Sequence, residues 1–325
     1  MKTIRISRQG FPSHGMHSWM RFIIWILSKK YNVIIDDKNP DIVVWTNFYQ
    51  NPNEYDTFLK CVPKIHEREN PNIKFLFLSG EIADFYSVVN SAPNQWSMGY
   101  QSFGHPNYFR MPSYVMDIWT MFDEARITDS PFDWLTKSPP KYDAVKNQFT
   151  GFCSVVQAST NDFREKLFNV LSTYKQISST GPWRPTVPGL DKHIWMKPEY
   201  IGRNDGLTYR QKIEFFKTCK FNISVQYLNT EYVVQEKLIH AIAANSIPLF
   251  YGNSRIEEEG FNPERFINLH KYSDLNECLQ LIKEIDTSEA LHRKYLESPI
   301  FVDNRLPEYF DMDRVMTFFE SMVEK

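Results

Sequence analysis

Apolar positions along this chain follow two spacings, one typical of buried strands and one typical of amphipathic helices. The continuous apolar run Lys74–Leu78 (KFLFL) predicts a parallel strand that is covered on both faces. The segment Asn161–Tyr174 instead has apolar residues three and four apart, as at Phe163 and Leu167, and therefore predicts a helix. Asn161 or Asp162 stands where an N-cap is needed, because either side chain can accept a hydrogen bond from a free backbone N–H of the first turn.

The same two spacings recur on both sides of a polar break. They predict strands at 31–35, 42–45, 149–156, 177–179, 221–225 and 247–251, and helices at 16–30, 210–217, 235–244 and 275–285. Between Ser138 and Gln148, two prolines and several charged residues interrupt the pattern and predict a linker. Alternating strands and helices on both sides indicate an α/β fold of two doubly wound domains, at 1–145 and 146–325. We expect the last helix to pack back on the N-terminal domain.

Composition excludes several classes of protein. The 325 residues are 42% hydrophobic and 23% charged, which is typical of a globular chain and not of a disordered one. The 37 basic and 39 acidic residues leave a net charge of −2, so the chain lacks the excess of cations on which nucleic-acid binding depends. Aromatic residues are frequent, at 15%. Trp183, Trp195 and Tyr209 can stack on a sugar, but packing in a core or loop is the more common role of such side chains.

Signals for targeting or covalent stabilisation are weak. The first residues lack the apolar stretch of a secretion signal, and the most apolar stretch, Trp19–Leu27, is too short to span a membrane. The four cysteines have neither the spacing of a zinc site nor that of a disulfide framework; they are Cys61, Cys153, Cys219 and Cys278. We therefore expect a protein of the reducing cytoplasm, with at most a peripheral contact with the inner membrane.

Common catalytic signatures are absent. The sequence contains no Gly-x-Gly-x-x-Gly, no P-loop, no Gly-x-Ser-x-Gly and no His-Glu-x-x-His. His14 and His17 are three apart, but no third ligand lies near them in the sequence. Dehydrogenase, kinase and simple hydrolase functions lose support, and no metal site is predicted.

The most informative segment is 220–252, in which a strand, a polar loop, a helix and a second strand follow one another. Glu236 and Lys237 lie in the first turns of the predicted helix. Unpaired N–H groups and the helix dipole favour an anion there, and Lys237 adds a full positive charge. Ligands of doubly wound sheets bind beyond the carboxyl ends of the strands, where this helix is expected to start. From these residues alone, an anion site and a solvated Glu–Lys pair both stay open.

This segment resembles a known family. Tyr232–Lys237 (YVVQEK), followed by Ile247–Gly252 (IPLFYG), is similar to the donor-site signature of the α-1,3/4-fucosyltransferases, glycosyltransferase family 10. Further segments resemble the bacterial members in the same order along the chain, namely Phe77–Glu81 (FLSGE), Tyr108–Pro112 (YFRMP), Phe152–Arg164, Phe261–Pro263 and Phe301–Phe319. The resemblance therefore covers most of the chain.

The resemblance implies a GT-B architecture, in which an acceptor-binding N-terminal domain and a donor-binding C-terminal domain, both Rossmann-like, face a cleft. It implies GDP-β-L-fucose as the donor and an inverting transfer to a glycan hydroxyl. The typical acceptor position is the 3-OH of GlcNAc or Glc in a lactosamine, a lactose or a lipopolysaccharide O-antigen. The residue roles that it implies are Glu81 as general base, Arg164 and Lys237 facing the diphosphate, and Tyr232 and Glu236 contacting the nucleotide and the hydroxyls of fucose or ribose.

The chemistry of the reaction agrees with these roles. Inversion in a single displacement requires a carboxylate to take the proton of the acceptor hydroxyl. The diphosphate leaving group is stabilised by cations, which Arg and Lys beside a helix N-terminus provide without a metal. We therefore expect no obligatory cofactor, with Mn²⁺ or Mg²⁺ as candidate stimulators of turnover.

Two departures from the family pattern keep alternatives open. The family usually has Phe-Glu-Asn-Ser where this chain has Val225–Leu228 (VQYL), and Gln235 replaces the usual Thr. Because Gln226 cannot carry a charge, the identity of the donor sugar stays open. The alternatives are a related enzyme that uses another nucleotide-sugar and a relative that binds nucleotide or glycan without turnover. The sequence does not determine the acceptor, the choice of 3- or 4-linkage, or the oligomeric state.

Overall fold

The computed structural model describes residues 1–9, 18–46, 71–78, 93–99, 104–112, 114, 115, 118, 132, 135–157, 160–187, 206–226 and 236–325. The chain divides into two compact units. Unit 1 consists of Met1–Trp119, Ile201–Asn204 and Glu308–Lys325, and unit 2 consists of Thr120–Tyr200 and Asp205–Pro307. Both ends of the chain therefore belong to unit 1.

The described part of unit 1 contains a parallel sheet of six strands. They are β1 (Thr3–Gln9), β2 (Asn32–Ile35), β3 (Ile42–Thr46), β4 (Lys74–Leu78), β5 (Gln95–Gly99) and β6 (Tyr108–Arg110), in the order β2-β1-β3-β4-β5-β6. Helix α1 (Ser18–Leu27) follows β1. β3 and β5 are buried at every position, as expected of central parallel strands that are covered on both faces.

Unit 2 contains a second parallel sheet, with five strands among its described residues. They are β7 (Gly151–Val156), β8 (Ile177–Thr180), β9 (Cys219–Val225), β10 (Ile247–Tyr251) and β11 (Ile267–Asn268), in the order β11-β10-β9-β7-β8. The helices of this unit are α2 (Tyr142–Val145), α3 (Asp162–Ser172), α4 (Gly206–Phe216), α5 (Glu236–Ala243), α6 (Leu275–Thr287) and α7 (Glu289–Glu297).

The last helix, α8 (Met312–Glu324), belongs to unit 1. Asp311 caps it by accepting hydrogen bonds from the backbone N–H groups of Asp313 and Arg314. Its apolar face is buried, and the ring of Phe318 lies 5.2 Å from that of Trp96 on β5. The last helix of the chain thus packs on the sheet that contains the first strand, β1.

The predicted fold class, α/β with two parallel sheets, is confirmed. The strands Lys74–Leu78 and Ile247–Tyr251 have the bounds that the apolar runs predicted. Of the two predicted N-cap residues, Asn161 caps α3, with its side-chain oxygen 2.9 Å from the backbone nitrogen of Arg164. No helix in the described part of the chain is long and apolar enough to span a membrane.

One predicted feature differs in the structure. The segment that the sequence predicts as a linker contains α2 and a short 3-10 turn. The reason is a tertiary contact, since the Tyr142 ring packs 5.2 Å from His292 and its backbone N–H donates to the Glu297 carboxylate at 2.8 Å. Two prolines and several charges therefore mark a break in the apolar pattern without marking an unstructured stretch.

The carboxyl edge of the second sheet is where ligands of such folds bind. β9 and β10 run parallel with Val225 beside Tyr251, so both strands end at the same edge. α3 follows β7 and α5 follows β9 along the chain, and both helices therefore start at this edge. The candidate site is built from these strand ends and helix starts.

Candidate functional site

Helix α5 starts at Glu236, within one residue of the start that the sequence predicts. Glu236 and Lys237 are therefore its first two residues, in the turn whose backbone N–H groups have no partner within the helix. The interior face of the helix is apolar, with Leu238, Ile239 and Ile242 buried. Packing of this face orients the helix and so determines where its polar first turn lies. Glu236 and Lys237 are thereby held at the carboxyl edge of the sheet.

Two basic side chains converge on one backbone carbonyl at the end of β9. Lys237 Nζ lies 3.1 Å from the carbonyl oxygen of Val225. Arg164, near the start of α3, donates to the same oxygen from Nη2 at 2.9 Å and from Nε at 3.3 Å. Arg164 is 1% exposed, so its guanidinium is held in place by the protein. The structure therefore brings together the two cations that the sequence assigned to one anion.

A third basic side chain reaches this point from α4. Lys212 is buried, and its Nζ lies 3.4 Å from Oε1 of Glu236. We call Arg164, Lys212, Glu236 and Lys237 the charged cluster. It contains three basic side chains and one carboxylate, so an anion bound beside it gains favourable charge interactions.

The carboxylate of the cluster stays ionised at neutral pH. Burial alone would raise the pKa of Glu236, but the positive charges of Lys212 and Lys237 outweigh it and lower the pKa to about 2. His240, one turn further along α5, has a pKa well below its ordinary value because it is fully buried. It is therefore neutral at pH 7 and adds no charge to the cluster.

Lys237 is the group of the cluster that titrates near neutral pH. Burial is the main cause that lowers its pKa to about 7, and the charges of Arg164 and Lys212 lower it further against the opposing effect of Glu236. A bound anion would reverse this balance, because it favours the protonated amine. Anion binding and protonation of Lys237 are thus coupled.

A buried polar network holds α5 against β9 behind the cluster. Ser224 Oγ lies 2.9 Å from Oδ1 of Asn222 and 3.2 Å from the carbonyl oxygen of Lys237. The Asn222 amide in turn donates to the carbonyl oxygen of Ser154 on β7 at 3.1 Å. Because all these groups are satisfied, the network fixes the first turn of α5 relative to two strands.

Gln226 and Gly252 lie side by side where β9 and β10 end. Gln226 is 1% exposed, and its backbone N–H donates to the carbonyl oxygen of Tyr251 at 2.8 Å. A Cβ on Gly252 would lie 2.5 Å from Cδ of Gln226 and 2.9 Å from its Cγ, closer than atoms can approach. Glycine is therefore required here, because the Gln226 side chain occupies the space of a Cβ.

Aromatic rings stack beside this pair of residues. The ring of Tyr251 lies 3.7 Å from that of Phe163, the neighbour of Arg164, and 4.2 Å from that of His270. Nε2 of His270 lies 2.9 Å from the carbonyl oxygen of Gly252. The stack joins the start of α3 to the end of β10 and stiffens the edge of the sheet next to the cluster.

The structure places three of the five residues predicted for the site in this cluster, namely Arg164, Glu236 and Lys237. The other two, Glu81 and Tyr232, lie outside the described residues, as do Gln235 and Trp195. Lys212 was missed by the sequence analysis, because nothing in the pattern of α4 distinguishes it from a surface lysine. The Trp183 ring is buried beside Phe168, and its Nε1 donates to Glu165 at 2.7 Å, so it fills the core.

No group of three or more metal-binding side chains is found in the part of the chain that the structure describes.

Comparison with known proteins identifies the family. Residues 143–298 match the model of the C-terminal domain of glycosyltransferase family 10, the fucosyltransferases. Over 93% of its length, the chain is 23% identical to the alpha-(1,3)-fucosyltransferase FucT of Helicobacter pylori.

By this match, residues 143–298 form a domain of glycosyltransferase family 10. All four side chains of the charged cluster lie within the matched residues 143–298. Human 4-galactosyl-N-acetylglucosaminide 3-alpha-L-fucosyltransferase 9 is a further relative, 26% identical over 45% of this chain. The chain spans 62% of the length of the bacterial relative and 51% of that of the human one.

Solved structures share the fold of this chain. A crystal structure of an alpha1,3-fucosyltransferase matches this fold with a TM-score of 0.71 at 19% identity, over 100% of this chain and 91% of the other. A structure of an alpha1,3-fucosyltransferase with GDP-fucose matches with a TM-score of 0.67, over 100% of this chain and 92% of the other. The fold of this chain is therefore of the GT-B class.

The close approach of Gly252 to Gln226 leads to a first prediction. Gly252→Ala should lower the free energy of unfolding by about 1–3 kcal/mol, the usual cost of inserting an atom into a filled interior. Replacing Gln226 by Ala as well should restore part of this loss, because the smaller side chain makes room for the new methyl group. Urea unfolding of both single variants and the double variant measures the effect.

Gly104→Ala is the matched control, since a Cβ there would meet no atom within 4 Å. Equal effects of Gly252→Ala and Gly104→Ala, or no recovery in the double variant, would contradict the packing argument.

Proposed function

We propose that this protein is an inverting fucosyltransferase that moves L-fucose from GDP-fucose to a hydroxyl of an acceptor glycan. The observation that carries the proposal is the charged cluster at the start of α5, which lies within the residues that match the fucosyltransferase family. Arg164 and Lys237 are held side by side on the carbonyl oxygen of Val225. Such a pair is suited to a diphosphate, which carries its charge on neighbouring oxygens.

The cluster suits the leaving group of the proposed reaction. Negative charge builds up on the GDP diphosphate as the bond to fucose breaks, and preorganised cations stabilise that charge without reorganisation. Lys237 gains its proton most readily when an anion is bound, so its positive charge is strongest when the diphosphate is present. The side-chain cations and the α5 helix start provide this stabilisation, with no divalent ion required.

Glu236 is proposed to accept hydrogen bonds from hydroxyl groups of the donor. A carboxylate with a pKa of about 2 stays an acceptor throughout the physiological range. Tyr232, just before α5 in the sequence, is proposed to contact the nucleotide. Glu81, which follows β4 in unit 1, is proposed as the general base that takes the proton of the acceptor hydroxyl.

The relatives support the choice of donor and reaction. The bacterial relative is called an alpha-(1,3)-fucosyltransferase, and one matching structure was determined with GDP-fucose. From these relatives we propose a transfer to the 3-OH of GlcNAc or Glc in a lactosamine-, lactose- or O-antigen-type glycan. We propose that the transfer takes place in the cytoplasm. Mn²⁺ or Mg²⁺ is proposed at most to speed the release of product.

One observation favours a second candidate, a transferase of the same architecture with a different nucleotide-sugar. Gln226 is a neutral, buried amide at the end of β9, where the family pattern carries a glutamate. Loss of this charge changes which hydroxyl or ammonium groups the edge of the sheet can bind. The test of function therefore includes other sugar nucleotides.

The donor assignment is tested first by binding. GDP at about one hundred times its dissociation constant should stabilise the fold by about 2.7 kcal/mol, and UDP at the same concentration by less. Thermal unfolding with GDP, UDP and their sugar conjugates measures the shifts, and mass spectrometry detects fucose transferred to lactose or N-acetyllactosamine. Equal shifts with GDP and UDP would contradict the assignment, and a GDP-sugar other than GDP-fucose as the only active donor would favour the second candidate.

The affinity for GDP should fall as the pH rises above 7. Lys237 loses its proton near pH 7 in the free protein, whereas the bound diphosphate favours the protonated amine. Affinity is therefore greatest below pH 7 and decreases by at most about tenfold per pH unit above it, until the pKa of the bound form is reached. Calorimetric titration with GDP between pH 7 and 8.5 measures this, and the loss should be absent in Lys237→Met.

Glu236 stays ionised and His240 stays neutral in that interval. A pH dependence that is equally steep in Lys237→Met would assign the titration to another group and would remove the evidence for Lys237 as a diphosphate ligand.

The proposed base is tested by Glu81→Gln, which keeps the shape of the side chain and removes its charge. Transfer should slow by about 10²–10⁴-fold, the usual contribution of a general base. GDP affinity should stay within about twofold, because the charged cluster that binds the diphosphate is unchanged. Rates with GDP-fucose and calorimetric affinities for GDP are compared with those of the wild type. A transfer rate close to that of the wild type would exclude Glu81 as the base.

A further inference from the structure

Lys212 is a buried lysine that the roles proposed above do not include. It lies on α4, 24 residues before Glu236, and is 6% exposed. Its neighbours in the helix include Ile213 and Phe216, which pack against the end of β7 and against Ala244. A lysine in such surroundings is costly, because its ammonium group loses most of its water.

The ammonium group of Lys212 interacts with the Glu236 carboxylate. Nζ lies 3.4 Å from Oε1 of Glu236, the first residue of α5. Lys212 thus holds the carboxylate from the buried side of the helix start. The Glu236 side chain is 26% exposed, so part of the carboxylate can meet a ligand.

Stability does not account for this pair. Replacing a buried ion pair by apolar side chains of similar volume is often neutral or stabilising. A methionine at position 212 would fill the same space between α4 and α5 without the cost of burying a charge. The charge at this position therefore points to a role in the site.

Lys212 also determines what Lys237 can do. The Glu236 carboxylate attracts the Lys237 ammonium electrostatically, and Lys212 lies beside the same carboxylate. Lys237 donates one N–H to the carbonyl oxygen of Val225. An ammonium group has three N–H donors, so two remain for an anion beyond the one that a described residue accepts.

We propose that Lys212 is a positioning residue, which holds the Glu236 carboxylate so that the carboxylate meets the hydroxyl groups of the donor and Lys237 meets its diphosphate. This inference rests on the proposed function, since the ligand it concerns is the nucleotide-sugar. Lys212 acts through Glu236 and Lys237 and does not itself contact the donor.

The test replaces Lys212 by Met, which keeps the length and removes the charge. Lys212→Arg keeps the charge, and Lys217→Met removes a lysine at the end of the same helix whose partner, Glu214, lies on the surface. Affinities for GDP and GDP-fucose are measured by calorimetry from pH 6.5 to 9 in each variant and in the wild type, together with kcat and KM for transfer. Circular dichroism and thermal unfolding report whether each variant folds.

In Lys212→Met, the affinity for GDP-fucose should fall by about tenfold, the usual effect of losing a hydrogen bond to a charged group. The pH at which GDP affinity declines should move upwards, because Lys212, Arg164 and Glu236 are the charged groups that face Lys237 and one cation is gone. The loss should be in KM more than in kcat. Lys212→Arg should retain affinity within about threefold, since charge and reach are kept. Lys217→Met should behave as the wild type.

Two outcomes would overturn the proposal alone. If the wild type binds GDP and Lys212→Met shows the same affinity and the same pH midpoint, Lys212 only fills space. If Lys212→Met fails to fold, Lys212→Gln takes its place, and unchanged GDP-fucose affinity and pH midpoint in that variant have the same meaning. Absence of GDP binding in the wild type would overturn the proposed function, and this proposal with it.

Discussion

The carbonyl oxygen of Val225 is the point on which the candidate site depends. It ends β9, and it accepts hydrogen bonds from Arg164 on α3 and from Lys237 on α5. Two cations would repel each other if nothing lay between them, and the partial negative charge of this oxygen reduces that repulsion. A backbone atom is fixed by the sheet, so the distance between the two cations is fixed as well. The site is therefore formed before any ligand arrives.

Placing these charges together has an electrostatic cost, which appears as the lowered pKa of Lys237. Its pKa of about 7 means that the protein holds an ammonium group where its charged form is disfavoured. Groups with perturbed pKa values occur at functional sites, because binding of an oppositely charged ligand stabilises the charged form that the protein disfavours. Glu236 limits the cost, and Lys212 in turn stabilises Glu236. The four side chains of the charged cluster thus form one coupled unit, in which each charge depends on the others.

The parallel sheet of unit 2 explains why these residues meet. β7, β9 and β10 run in the same direction, so the helices that follow β7 and β9 start at the same edge. Close contacts then hold the edge, through the Ser224 network behind α5, the Tyr251 stack and the glycine that makes room for Gln226. The match to the family 10 domain covers this whole edge, because residues 143–298 include all of these elements.

The sequence by itself predicted β2–β4 and β7–β10 with the helices α1 and α3–α6, but not β1, β5, β6 or β11. Its resemblance to the family named three residues of the charged cluster. Apolar runs indicate strands because parallel strands are covered on both faces. Asn161 caps α3 because its side-chain oxygen accepts a hydrogen bond from a backbone N–H of the first turn. Helix caps and helix starts depend on residues that are close in the sequence, which is why Glu236 and Lys237 could be placed at a helix start.

Only the tertiary structure decided which charges share one site. Arg164 and Lys237 lie 73 positions apart in the numbering of the chain, from 164 to 237, and no spacing predicts that both would bind one carbonyl oxygen. Lys212 has the pattern of a surface lysine and is buried only because α4 packs on α5. Likewise, the segment expected to be a linker forms α2 because Tyr142 packs on α7. Periodicity reports which face of an element is apolar, whereas a contact between distant elements depends on how those faces pack together.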